Sequence, residues 1–226
     1  MKRGLLPALC LLLAAAFAAL GVWQVERRGW KLDLIARIDA RVHAPPRALP
    51  RHWSDALAYT RVRTQGVFLH DRETLVQAVT DLGPGWWVMT PLRTVSGVVL
   101  VNRGFVPPER RDPATRRAGQ IAGPVTVTGL LRSSEPGGGF LRGNDPRADR
   151  WYSRDVTAIA RARGLPEAAP FFVDADAAAN PGGLPVGGLT VVAFRNNHLV
   201  YALTWFALAA LSLGGAALLL RGREKR

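Results

Sequence analysis

Gly4-Leu5-Leu6-Pro7-Ala8-Leu9-Cys10-Leu11-Leu12-Leu13-Ala14-Ala15-Ala16-Phe17-Ala18-Ala19-Leu20-Gly21-Val22 runs for 19 residues without a charge. Leu199 to Leu220 repeats the pattern near the other end of the 226-residue chain. A helix rises 1.5 Å per residue, so about 20 apolar residues cross a hydrocarbon core of about 30 Å. Each run is long enough. The reading is an α+β membrane protein in which two transmembrane helices flank a β-rich extramembrane domain.

The flanks set the orientation. Met1-Lys2-Arg3 precedes the first run and Arg221-Gly222-Arg223-Glu224-Lys225-Arg226 follows the second. Basic residues next to a span stay on the cytoplasmic side, whereas a long loop crosses largely regardless of its own charge. The expected order is a cytoplasmic N-terminus (1–3), transmembrane helix 1 (4–22), a juxtamembrane amphipathic helix (23–44), an exported β-rich domain (45–195), transmembrane helix 2 with its Asn196-Asn197-His198 start (196–220) and a cytoplasmic basic tail (221–226). A cleaved secretory signal is the rival reading of the N-terminus, with Ala16-Phe17-Ala18 as its small-residue triplet. The apolar run continues past that triplet to Trp23, an aromatic suited to the headgroup zone, which favours retention. Leu9 before Cys10 is too bulky for a lipoprotein cleavage site, so Cys10 reads as a small apolar residue within a span.

Working outward from the first span, Trp23, Arg27 and Trp30 are spaced i, i+4 and i+7 and share one helical face just above the bilayer. Interfacial anchoring and partner docking both suit that face. Pro45-Pro46 ends the helix. Beyond it, strand signals alternate with turn residues at Arg61 to Leu69, Thr74 to Val79, Trp86 to Leu92, Val98 to Val106, Val125 to Arg132, Trp151 to Ser153, Phe171 to Asp174 and Leu189 to Phe194. Val98-Val99-Leu100-Val101 is apolar at every position, as a strand buried on both faces should be. Asp155 to Arg163 opens on a helix-starting acid and closes at Gly164, so one short helix is expected there. Pro107 to Gly119 and Ser133 to Arg150 read as loops. Many short strands with few helices predict an antiparallel sheet or partly closed barrel.

Composition narrows the chemistry. The formal charge is +13, of which +8 lies dispersed between the spans. That favours a lipid bilayer with anionic headgroups, or an acidic partner, over nucleic acid. The single cysteine lies in a span and the only methionines are Met1 and Met89, so a disulfide framework, a catalytic thiolate and a copper carrier are all disfavoured. Neither a nucleophile elbow nor a zinc-binding His pair nor a phosphate-cradling glycine loop is present. His43, His52, His70 and His198 fit no local metal motif.

His198 differs from the other three in context, because it stands at the mouth of the second span, where polar groups are costly unless satisfied. His198, Tyr201 and Trp205 fall at i, i+3 and i+7, placing an imidazole above two aromatic rings. A planar apolar ligand such as haem suits that face, with Arg195, Arg27 and Arg28 near the depth at which propionates need cations. An interfacial cap or a helix-to-helix hydrogen bond is the alternative.

Gly21-Val22-Trp23-Gln24-Val25-Glu26-Arg27-Arg28, Gly85-Trp86-Trp87-Val88-Met89-Thr90-Pro91-Leu92, Val101-Asn102-Arg103-Gly104-Phe105-Val106-Pro107 and Asn196-Asn197-His198-Leu199-Val200-Tyr201-Ala202-Leu203-Thr204-Trp205-Phe206 closely resemble, in this order, the motifs of the surfeit-locus-one family. With Asn144-Asp145-Pro146 and Trp151 to Val156 the resemblance covers nearly the whole chain. It implies a non-enzymatic assembly factor for cytochrome c oxidase that binds haem A and assists its transfer from haem A synthase to oxidase subunit I. His198 is the iron ligand that the resemblance implies, with Tyr201 and Trp205 packing the ring and Arg195 beside it. Trp23, Arg27, Arg28 and Arg103 are the expected partner-binding residues, although Arg103 also suits a salt bridge within the domain. A bacterial inner membrane with the central domain periplasmic is expected, since no organelle-targeting leader precedes the first span. A haem-free scaffold that stabilises an oxidase assembly intermediate is the competing expectation.

Overall fold

The first apolar run and the segment after it form one uninterrupted helix, α1 (Leu5–His43), in a computed structural model that describes residues 5–139, 141–192 and 194–224. The expected cytoplasmic residues 1–3 and the last two of the basic tail lie outside the described residues. Alanine and leucine dominate the start of α1, where both carry little conformational penalty in a helix, and Pro7 falls in the first turn, where a missing N–H costs nothing. Pro45 and Pro46 follow its end and exclude a further turn. The chain divides into two units, Met1–Arg37 with Val192–Arg226, and Ile38–Val191.

The first unit pairs α1 with α3 (His198–Glu224), and both helices are long and apolar enough to cross a membrane. The seam follows Pro7, Cys10, Ala14, Phe17, Gly21, Gln24 and Arg28 on α1 and His198, Ala202, Trp205, Ala209, Ser212 and Ala216 on α3, with Ala18, Leu208 and Gly215 also shielded at its side. Along that line the steps alternate between three and four residues on both helices, the spacing of a seam between two helices crossing at a shallow angle. Small side chains occupy much of that seam, and without a hydrophobic drive in lipid they allow the close van der Waals approach that holds helices together. A Cβ on Gly21 would stand 2.5 Å from the Phe206 ring. Most leucines outside the seam are exposed, as lipid-facing residues are.

The second unit is a strand assembly: β1 (Arg61–Phe68), β2 (Thr74–Thr80), β3 (Gly83–Thr94), β4 (Gly97–Val106), β5 (Pro124–Ser133) and β6 (Phe171–Ala175), with α2 (Val156–Ala162) between β5 and β6. The order is β1-β5-β6-β4-β3-β2, and β1 also pairs with β3 through Val67↔Arg93 and Phe68↔Leu92. That contact closes β3-β4-β6-β5-β1 into a barrel and leaves β2 as an extension on the first half of β3. A bulge between Trp87 and Met89 interrupts the β3–β4 register, the kind of irregularity that bends a strand toward two partners. Of the two architectures expected, the partly closed barrel is the one observed. One pairing is not antiparallel: β4 runs parallel to β6, with Leu100↔Phe172 and Asn102↔Asp174. A parallel neighbour needs a long crossover, and residues 107–170 supply it through β5 and α2.

Alternation sorts the core into two layers. Val62, Phe68, Leu92, Val99, Val101, Val127, Leu131, Phe171 and Val173 fill one face, while Val76, Met89, Leu100, Trp151, Val156, Ile159 and Phe172 pack on the other around α2. Each such fully buried side chain contributes about 1.5–3 kcal/mol relative to exposure. The expectation for Val98 to Val101 holds, since Val99 and Val101 face one layer and Leu100 the other. Asp155 caps α2 by accepting from Ala158 N–H at 3.0 Å, and Gly164 leaves the helix at φ +68°.

Two expected strands do not form. Trp151 makes a single bridge to Val76, because Asn144 Oδ1 takes the next donors, Tyr152 N–H at 2.8 Å and Ser153 N–H at 3.2 Å. A side chain that accepts from consecutive amides competes directly with a ladder. Leu189 to Phe194, Ala193 lying outside the described residues, has no ladder partner, and Val191 is 75% exposed. The expected loop Pro107 to Gly119 is wound into the short 3-10 turns Pro108–Arg110 and Pro113–Gly119, the second capped by Asp112.

Candidate functional site

Polar side chains are shielded from water and paired at two places in the chain, one in each unit. The first lies at the start of α3. His198 Nδ1 is 2.7 Å from Gln24 Oε1, across the seam between the helices. With the amide oxygen facing it, Nδ1 is the donor, and in the neutral ring Nε2 then keeps the lone pair. Among the described residues Nε2 has no partner. A metal-ligating histidine is held in this way, with its second nitrogen donating to a fixed acceptor that sets the tautomer and the ring direction. One such imidazole nitrogen is a donor that a metal such as iron would accept.

The aromatic face expected with His198 is split. Trp205 stays on the seam and stacks on Phe17, with ring centroids 5.6 Å apart and planes at 25°. Tyr201 is 54% exposed. At 100° per residue Tyr201 lies about 60° round the helix from His198, off the line through His198, Ala202 and Trp205. Arg195 is exposed and Arg28 is half-buried. Arg27 lies 4.6 Å over the Trp30 ring on a face with Trp23, and both tryptophans are 50% exposed, so this face is available to lipid headgroups or a partner.

The second place is in the barrel. Asp174 is buried and receives Asn102 Nδ2 at 2.7 Å, Arg132 Nη1 at 2.8 Å and Arg154 Nη1 at 3.1 Å. Arg154 also grips Glu135 through Nε at 3.0 Å and Nη2 at 2.5 Å. Burial pushes the Glu135 carboxyl up, yet the Arg154 hydrogen bond and charge outweigh it and leave the group below its ordinary value. Burial lowers His70, whose Nε2 is 3.1 Å from the Ile121 carbonyl.

Arg103 requires a correction. Expected at a partner surface or in a salt bridge, its side chain is only 2% exposed and no carboxylate bonds to it among the described residues. Its Nη2 donates to the Gly119 carbonyl and to Asn180 Oδ1, and the Phe68 ring lies 4.8 Å from Cζ. Gly104 explains why Arg103 turns inward. It has φ +125°, and a Cβ there would stand 2.0 Å from the Val186 carbonyl oxygen, where residues 185–187 cross β4 and bond to Phe105 at 2.9 Å. The turn of the glycine backbone and the chain laid over it close the outer side of this strand.

Two participants escaped the sequence reading. Gln24 had a signal, an amide on the side of α1 that faces a second apolar helix, but its partner is 174 residues away. Asp174 had none, since a carboxylate at the end of an apolar strand reads as an exposed terminus. His43 and His52 are exposed, and among the described residues no three His, Cys, Asp or Glu side chains gather to hold a metal ion.

The SURF1 family model matches residues 11–210, a span that includes Gln24, Arg103 and His198. Surfeit locus protein 1 of Homo sapiens is 39% identical over 220 residues, covering 88% of this chain and 72% of that protein. The Mus musculus protein of the same name is 38% identical over 219 residues, covering 88% and 71%. A SURF1-like protein of Monosiga brevicollis is 39% identical over 210 residues, covering 86% and 79%.

Proposed function

The chain belongs to the SURF1 family, and on that premise we propose that it is a membrane-anchored assembly factor for cytochrome c oxidase that holds haem A and assists its delivery to oxidase subunit I. The observation that carries this reading is the Gln24–His198 pair, which leaves one imidazole nitrogen with a lone pair at the end of a membrane helix. When bound there, haem A supplies an iron that accepts that lone pair. The protein's share is to hold the ring: Gln24 fixes the tautomer, Trp205 and Phe17 stiffen the helix pair below it, and exposed Arg195, with Arg27 and Arg28, offers cations to the propionates. One imidazole at the helix end binds firmly and still exchanges, as handover from haem A synthase to subunit I requires. No catalytic step is assigned to the chain.

The basic flanks support a topology with both termini cytoplasmic and the barrel on the opposite side of the membrane, which this reading takes to be the periplasmic side of a bacterial inner membrane. Expression beside a haem A synthase and purification in detergent tests the haem reading by absorption spectroscopy. The wild-type protein is expected to carry haem A and His198→Ala to lose it. Absence of haem from the wild type, or unchanged haem in His198→Ala, refutes the ligand assignment.

The exposed face of Trp23, Arg27 and Trp30 favours a second reading, a haem-free scaffold on an oxidase assembly intermediate. Under it, Trp23→Ala with Trp30→Ala impairs oxidase assembly while the purified protein stays spectrally featureless.

A further inference from the structure

Past Gln77, β2 has no neighbour on its outer side among the described residues. The Gln77 N–H donates to the Trp151 carbonyl at 2.8 Å, so the backbone of Gln77 faces away from β3, and by the two-residue period of a strand that of Val79 does too. Trp151 is the last residue of its segment to follow the edge, because Asn144 Oδ1 draws off the amides of Tyr152 and Ser153. The N–H and C=O of Val79 are left without a ladder partner. Open edges are commonly blunted by lysine, proline or an inward-pointing charge. This one carries Val79 at 83% exposure, with Leu82 at 54% in the hairpin turn that follows.

A cavity of about 420 Å³ lies along that edge, walled in part by Val79, Pro84, Trp86, Arg142 and Tyr152. Gln77 and Trp86 are Cα partners, so their side chains share the face on which the cavity opens, and Arg142 joins them with Nη1 3.4 Å from Gln77 Oε1. Each aromatic wall carries a guanidinium. Arg142 stands 5.6 Å over the Tyr152 ring and Arg111 stands 5.1 Å over the Trp86 ring. Both arginines are exposed, neither has a carboxylate within ion-pair distance among the described residues, and no aspartate or glutamate lines the cavity. Cations fixed on rings beside a free strand edge select for acid in whatever lies along it. A second copy of this chain is a poor occupant, since edge-to-edge pairing would bring like-charged arginines together. We propose that the open end of β2 is a docking site for an extended, acidic segment of a partner protein. The segment adds a strand through backbone bonds to the N–H and C=O of Val79, and its alternate side chains lie over the Trp86 face, where acidic stems rest in the cavity and carboxylates meet Arg111 and Arg142. The site lies wholly in the second unit and does not depend on haem.

The test uses the full chain in detergent micelles at low salt and a dye-labelled, end-capped heptapeptide of alternating valine and glutamate, read by fluorescence anisotropy. Saturable binding is expected. The same peptide with lysine for glutamate is expected not to bind, and a version N-methylated at its three central amides to bind at least about tenfold more weakly. Val79→Pro removes the outward N–H and leaves the β2–β3 ladder in place, so it is expected to weaken the acidic peptide about three- to tenfold, and Arg142→Glu to weaken it at least as much. If Val79→Pro does not fold, the N-methylated peptide puts the same question to the wild type. Absence of saturable binding by the acidic peptide overturns the proposal. Equal binding by the N-methylated peptide or by Val79→Pro makes the contact one of charge alone, and equal binding of the lysine peptide makes it non-specific; either result overturns it. A wild-type dimer that Val79→Pro dissociates assigns the edge to a second copy and overturns it too.

Discussion

The helix pair and the barrel solve the same problem, holding polar side chains out of water, by opposite means. Between α1 and α3 small residues bring two backbones together and one amide meets one imidazole, so a single hydrogen bond settles the seam. In the barrel a carboxylate collects three donors from three different segments, and large apolar side chains seal the cluster. The lesson is one of redundancy. Loss of a group from the seam removes one contact, whereas loss of Asp174 takes an acceptor from two arginines at once, leaving them Glu135.

That contrast is broken most severely at Asp174. Asp174→Ala leaves Arg132 and Arg154 without their shared acceptor, and breaking a buried ion pair from one side costs about 3–5 kcal/mol. Denaturant unfolding of the barrel measures it, and a cost under about 1 kcal/mol shows that Glu135 alone supports both arginines.

A close-packed glycine from each unit sharpens the comparison next. Gly104→Ala sets a Cβ against a backbone carbonyl and at positive φ, a strain of about 1–3 kcal/mol before any clash is counted. Gly21→Ala meets only the edge of the Phe206 ring, a side chain that can turn aside. Thermal unfolding is expected to rank the first substitution well above the second. Equal effects imply that the helix pair is as rigid as the barrel.

Gln24→Ala probes the seam alone. Loss of an outer partner to a metal-binding histidine typically lowers affinity 10–100-fold, so haem A titration of the purified variant is expected to weaken by about that factor while barrel unfolding stays unchanged. Unaltered haem affinity removes Gln24 from the ligand geometry.

The smallest effect is in the response to pH, and it belongs to the barrel. His70 is lowered in the folded state, so the unfolded chain binds the extra proton and stability declines as pH falls below 6.5. Glu135 is also lowered, so its contribution is present above the usual value of 4.5 and is lost as pH falls through its folded value. Urea midpoints between pH 7 and pH 3 are expected to fall in two stages, with His70→Phe flattening the first and Glu135→Gln the second.

Much of the fold is legible in the sequence, because periodicity and punctuation are local. The starts of β1 and β2, the extent of β4 and the capping of α2 by Asp155 follow from alternation, prolines and one acid. The strand expected at Trp151 fails for a reason no local pattern shows, since Asn144 reaches forward to claim the amides of Tyr152 and Ser153. Closure of β1 on β3 depends on a bulge, which leaves no mark on composition. The site divides in the same way. His198 is marked by its place at a span boundary, whereas Gln24 acquires meaning only when the helices are set side by side. Arg103 is the hardest to anticipate, because arginine is almost never fully buried without a partner.

The alternating three- and four-residue steps along α1 and α3 have an arithmetic consequence. One extra residue inserted between Ala14 and Gly21 would rotate everything beyond it by about 100° and swing Gln24 away from His198 without changing a single side chain. Seven extra residues would restore the phase and lengthen the helix by about 10 Å. Spacing along these helices is thus constrained as tightly as chemistry: a family member can exchange alanine for serine in the seam more safely than it can gain or lose one position.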